Sequence, residues 1–165
     1  MAMPPRIEPA PDQESVWDYP RPPRIEDSDH HVQVIFDGVL IADTRRAKRV
    51  LETSSPPVYY IPTDDVKMEY LQPTARTTIC EWKGQARYYT LRHGHRSAEN
   101  AVWSYPRPTP SFGPVKDYLA FYPSRVDACL VDGEAVRPQP GDFYGGWITA
   151  NIVGPFKGDP GTEGW

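Results

Sequence analysis

Apolar residues in this chain come in short runs broken by turn signals, and the clearest run is strictly alternating. Val32, Val34 and Phe36 occupy every second position after His31, Asp37-Gly38 follows, and Val39 to Ala42 resumes the apolar pattern. An Asp-Gly pair between β-branched runs predicts a hairpin, because a type I′ turn needs positive φ at both central residues. The same unit returns near the other end as Ala128-Cys129-Leu130-Val131, Asp132-Gly133 and Glu134-Ala135-Val136. Two such hairpins at the ends of one region suggest two antiparallel sheets closing on each other.

Between them, Val58 to Ile61, Tyr88 to Leu91 and Tyr118 to Tyr122 read as strands. Thr44 to Glu52 reads equally as a helix or as a solvent-edged strand. Thr63-Asp64-Asp65 has the composition of a capped single helical turn. Ser97 predicts a cap for a short helix over Ala98 to Tyr105, limited by Pro106. The expected fold is therefore mainly β, with one or two short helices.

Composition divides the chain further. Residues 1–30 are proline-rich with little to bury, which predicts an extended arm. Residues 31–137 form the domain. Residues 138–165 are a Gly/Pro-rich extension whose Phe143, Tyr144, Trp147, Ile152, Val153 and Phe156 are too apolar for a free linker, so it is expected to pack back on the domain. The arm contains Trp17-Asp18-Tyr19-Pro20-Arg21-Pro22, matched at five of six positions by Trp103-Ser104-Tyr105-Pro106-Arg107-Pro108. Exchange of these arms between two copies would make a homodimer.

The net charge of −4 argues against a nucleic-acid surface. No apolar run approaches the roughly 20 residues of a membrane span. The amino terminus resembles neither a secretory signal nor a transit peptide. Two cysteines far apart in sequence make no disulfide framework, and the expected setting is reduced and cytoplasmic.

Candidate chemistry is sparse. Of the soft ligands Cys80, Cys129, His93 and His95, only the two histidines are close, so neither zinc nor any other cofactor is expected. Cys80 lacks a nucleophile-elbow or oxyanion signature and reads as a small buried hydrophobe. No phosphate-binding glycine loop occurs, and Asp64-Asp65, the paired carboxylates considered for magnesium, are adjacent and so would point apart on a helix. The densest stretch is Cys80 to Pro106, with two of five tryptophans and three of ten tyrosines. Its rings predict a pocket walled by Trp82, Tyr88, Trp103 and Tyr105, with Lys83, Glu99 and Asn100 supplying polarity. On a helix, Glu99 and Asn100 would share a mouth with Trp103. The same rings read equally as the core of a small β domain.

The segments FDGVLIADTRRAKRVLETSSPPVYYIPTDDV, CEWKGQARYYTL, AENAVWSYPRP and AFYPSRVDACLVDGEAV together resemble the family of domains of unknown function numbered 427, which also carries a nucleotidyltransferase label. The arms WDYPRPPRIE and QPGDFYGGWITANIVGPFKGDPGTEGW resemble its cyanobacterial and plant-like branch. The resemblance implies a β-tent fold, two antiparallel sheets meeting at an angle. Many β-tent relatives bind zinc on paired CxxC motifs, and this chain has none. Others, such as the thalidomide-binding domain of cereblon, hold cyclic ligands in a tryptophan-lined pocket, and by that analogy Trp82 and Trp103 would play the same part. Three functions follow as alternatives: binding of a small ligand or peptide, nucleotidyl transfer from an NTP with Lys83 on phosphate, or a non-enzymatic scaffold role. The transferase reading lacks the paired-Asp pattern of polymerase-β-like enzymes.

Overall fold

The structure, a computed structural model, describes residues 7–141 and 143–158; the first six residues of the arm and the last seven of the tail lie outside that range. The chain is mainly β, with several antiparallel sheets and, among the described residues, no barrel and only short 3-10 turns between strands. No helix among the described residues is long and apolar enough to cross a membrane.

Both Asp-Gly hairpins form. Asp37 and Gly38 take φ of 50° and 74°, and Asp132 and Gly133 take 50° and 82°, the left-handed pair that a type I′ turn requires. They do not, however, belong to two facing sheets. Val32–Phe36 pairs with Val39–Thr44 on one side and with Ala128–Val131 on the other, so both hairpins build a single four-stranded sheet that ends at Glu134–Ala135. Val32, Val34 and Phe36 all turn to the core, as the alternation demands.

The second four-stranded sheet is a long meander. Leu71–Cys80, Gly84–His93 and Arg96–Pro108 run antiparallel, and Ala120–Phe121 completes the edge. The helix expected over Ala98 to Tyr105 is therefore a strand. Val102, Trp103 and Tyr105 favour a pleated surface, and Trp103 finds Tyr88 on one neighbour and Ala120 on the other. Those cross-strand partners outweigh the lone cap signal of Ser97. Two bulges accommodate what a regular strand would not. Pro106 lies beside the first, where a missing N–H is tolerated, and Asn100 lies at the second with φ of 51°.

The ambiguous Thr44 to Glu52 segment also resolves as strand. Lys48–Leu51 is the middle of a three-stranded sheet between Arg24–Asp27 and Val58–Tyr60. Thr63–Asp65 does form a single helical turn, but Thr63 does not cap it; its hydroxyl donates to the Asp117 carbonyl at 2.8 Å.

The tail supplies the largest fully buried side chain, Trp147. Its indole stacks near Tyr59 at 4.9 Å and donates Nε1–H to the Phe121 carbonyl at 3.0 Å. The arm contributes Val16 and Tyr19 to a small cluster with Leu51 and Ile152, and Trp17 donates to the Pro155 carbonyl at 2.9 Å. Glu14–Ser15 pairs in parallel with Ile152–Val153, which ties arm to tail.

Candidate functional site

A cavity of about 310 Å³ opens where the three-stranded sheet, the long meander and the tail meet. Val50, Val58 and Tyr60 face it from the three-stranded sheet; Tyr88, Trp103 and Tyr105 face it from the meander; Gln139, Tyr144, Gly145 and Lys157 close it from the tail. The Cys80–Gly84 turn forms its mouth with Trp82 and Lys83.

That turn is held from behind. Gly84 adopts φ of 109°, and a Cβ there would approach the Arg107 carbonyl to 3.2 Å, so glycine is needed for both reasons. Thr109 accounts for the two preceding carbonyls. Its N–H donates to Lys83 O at 3.0 Å and its hydroxyl donates to Trp82 O at 2.7 Å. Backbone fixed this way presents the half-buried Trp82 and Lys83 side chains to the cavity mouth.

The walls are aromatic and almost wholly buried. Trp103 and Tyr105 are 7% and 6% exposed, and Tyr60 is 1% exposed. Trp103 meets Tyr60 edge-on at 6.4 Å and 86°, and its Nε1–H donates to the Tyr60 hydroxyl at 3.4 Å. On the other side it lies 4.6 Å from Tyr122, whose hydroxyl donates to the Phe143 carbonyl at 2.9 Å. The Tyr88 and Thr78 hydroxyls are 3.0 Å apart. Burial pushes the phenols of Tyr60, Tyr105 and Tyr122 up from their ordinary value. They stay protonated at neutral pH and serve as hydrogen-bonding groups, not as bases. Lys83 Nζ sits 3.5 Å from Cys80 Sγ.

The structure thus brings Trp82, Lys83, Tyr88, Trp103 and Tyr105 around one cavity and leaves Glu99 and Asn100 out of its lining. Once the segment is a bulged strand, the shared helical face that joined those two to Trp103 disappears. Glu99 is exposed. Asn100 works inside the sheet: its Oδ1 accepts from Thr74 at 2.7 Å, its N–H donates to the Thr90 hydroxyl at 3.2 Å, and its carbonyl accepts from Arg125 at 2.8 Å. Tyr89 packs against the main core instead of the cavity.

Sequence reasoning missed Tyr60, Gln139, Tyr144 and Lys157. Tyr60 was inside a predicted strand, and only the pairing of Lys48–Leu51 with it shows which face it presents. Gln139 is the latch of the tail. It is 4% exposed, its Oε1 accepts from Gly146 N–H at 3.0 Å, and its Nε2 donates to the Lys157 carbonyl at 2.7 Å. The Gly145-Gly146 pair among aromatics was the available signal for close backbone approach.

The two Trp-x-Tyr-Pro-Arg-Pro motifs do not occupy equivalent places. Trp17 and Asp18 lie in a 3-10 turn, and Tyr19 donates to Glu14 at 2.6 Å, whereas the second copy is strand and pocket wall. Among the soft ligands, Cys129 is buried in the hairpin sheet, which pushes its thiol up, and His93 is paired with Asp37 at 2.7 Å. No group of three or more His, Cys, Asp or Glu side chains among the described residues is placed to hold a metal ion.

A search among curated proteins gives no match. The model of a domain of unknown function (DUF427, named NTP_transf_9) matches residues 24–132, more than half of the chain, and the chain belongs to that family.

Proposed function

We propose that this chain is a binding domain for a small, flat ligand, held in the cavity walled by Trp82, Tyr88, Trp103 and Tyr105. The observation that carries this reading is the wall itself: large rings from three separate elements converge on a volume that they do not fill. A scaffold module would bury the same rings against each other and close that volume. At about 310 Å³ the space is at the lower end of the roughly 300–1,000 Å³ of small-molecule sites, which suits a compact ring system better than a peptide.

Nucleotidyl transfer is less well supported by the same residues. It needs carboxylates that hold magnesium beside the phosphates. Among the described residues, the two that line the cavity are Glu52, engaged by Arg21 at 3.7 Å, and Glu81, exposed on the turn.

Equilibration of the purified chain with a small-molecule cell extract, followed by desalting and native mass spectrometry, tests the binding reading. A retained molecule that is lost in Trp82→Ala supports it. Retention of nothing, or equal retention by Trp82→Ala, defeats it.

A further inference from the structure

The chain as a whole is acidic, with 22 Asp and Glu against 18 Lys and Arg. At the cavity that acidic excess disappears, with two lysines against Glu52 and Glu81 among the described lining residues. Lys83 and Lys157 both line it, both are half-buried, and neither has a carboxylate within ion-pair distance among the described residues. Lys83 Nζ lies 3.5 Å from Cys80 Sγ and 6.0 Å from the Phe112 ring; Lys157 Nζ lies 5.1 Å over the Tyr144 ring.

Two further cations sit against the walls. The Arg76 guanidinium is 4.9 Å from the Tyr88 ring centre, and that of Arg125 is 4.1 Å from the Tyr122 ring centre. On the acidic side, Glu52 lies 3.7 Å from Arg21, and Glu81, which also lines the cavity, is exposed. A half-buried ammonium without a counter-charge loses hydration that the protein does not return, and an anion entering the cavity would restore it.

We propose that the ligand is a planar anion, its ring lodged between the indole and phenol walls and its carboxylate or phosphate held by Lys83 and Lys157. This rests on the cavity being a ligand site, and it adds the chemical class. It also assigns a role to the tail. Lys157 lies beyond the family-matched residues 24–132, so half of the clamp belongs to the extension. The Lys157 backbone is fixed on both sides, by donation to the Ser54 carbonyl at 2.7 Å and by acceptance from Gln139. The ammonium therefore projects from an anchored point.

Three probes of one shape separate the charge from the ring: 2-naphthoate, 2-naphthyl phosphate and the neutral 2-naphthamide, each titrated calorimetrically into the full chain. The expected result is that both anions bind at least about tenfold more tightly than the amide, the scale of one charge-assisted hydrogen bond. The order of the two anions then distinguishes a carboxylate ligand from a phosphate ester. Lys83→Met and Lys157→Met should each remove most of that preference while leaving amide affinity in place. Equal binding of all three probes overturns the anion assignment and leaves the cavity reading standing. Equal loss of all three probes in the lysine variants overturns the clamp. Binding of none of the three overturns this inference, and the extract experiment then decides separately whether the binding reading survives.

Discussion

The backbone of Gly145 lies against the indole of Trp103 so closely that a Cβ on residue 145 would fall 2.3 Å from Cη2 of that ring. No real side chain occupies such a position, so the tail and the pocket wall fit only if residue 145 has no side chain. The next residue is constrained as well, since a Cβ on Gly146 would lie 2.5 Å from the Gln139 Oε1 that receives its N–H.

Gly145→Ala should therefore lift the tail or push Trp103 out of place. Overpacking of this kind costs about 1–3 kcal/mol. Urea denaturation should show that loss, together with altered tryptophan emission in the native state, because Trp103 changes its surroundings. Wild-type stability and an unchanged spectrum would mean that the tail does not rest on the indole.

The two cysteines should differ sharply in reactivity. Cys129 is 2% exposed, and burial pushes its thiol up, so it should stay unmodified in the native chain. Cys80 is partly exposed at the cavity. A colorimetric thiol reagent should modify one thiol per chain under native conditions and a second only in denaturant. Peptide mapping should place the first on Cys80. Modification of both at one rate would contradict the buried placement of Cys129.

These features were legible to different degrees. The Asp-Gly hairpins could be read locally, because the turn needs particular residues at two positions and the flanking alternation sets the buried face. Their joining into one sheet could not, since Val32–Phe36 pairs with Ala128–Val131 across nearly a hundred residues. The Ala98 to Tyr105 segment carries a helix signal in Ser97 and Pro106, and its consecutive apolar residues, which burial on both faces produces, do not separate a strand from a short helix. Five of seven expected site residues share the cavity because Tyr88, Trp103 and Tyr105 sit on adjoining strands, and Trp82 and Lys83 on the turn that leads into the first of them. Glu99 and Asn100 entered through the helical face and left with it. Lys157 was out of reach: nothing in its sequence neighbourhood says that the tail folds back onto Ser54.

The arm is secured to the sheet through charge. Arg49, 12% exposed at its side chain, binds Glu14 at 2.7 Å and also Glu26. Burial raises the Glu14 carboxyl, but hydrogen bonds from Arg49 and Tyr19 outweigh it and hold the group below the ordinary range. A carboxyl depressed in the folded state stabilises fully above its unfolded value, about 4.3, and that contribution disappears as pH falls through the lower folded value. Glu14→Gln should thus be less stable than wild type at pH 7, by no more than about 1 kcal/mol because the group is over a third exposed. The gap should narrow as the pH is lowered below 4. A gap that is constant with pH would show that the loss is not ionic.

The last test separates a sheet role from a site role at Asn100. Its φ of 51° is left-handed, a conformation that asparagine and glycine adopt more readily than other residues. Its Oδ1 also accepts the Thr74 hydroxyl, which joins the bulge to the next strand but one. Asn100→Ala loses that hydrogen bond and meets the backbone penalty as well, together about 1–3 kcal/mol. Asn100→Gly loses the same hydrogen bond but regains backbone ease, so it should fall between wild type and Asn100→Ala in urea midpoint. Neither change touches the cavity lining, so the affinity of the 2-naphthoate probe should stay within about twofold of wild type, well inside the roughly 1.4 kcal/mol that a tenfold change represents. Trp82→Ala should show the opposite pattern, with weakened binding and near-native stability, because its ring is only partly buried at the mouth. If Asn100→Ala abolished binding at unchanged stability, the residue would belong to the site after all. The bulge would then act by aiming its amide at the ligand.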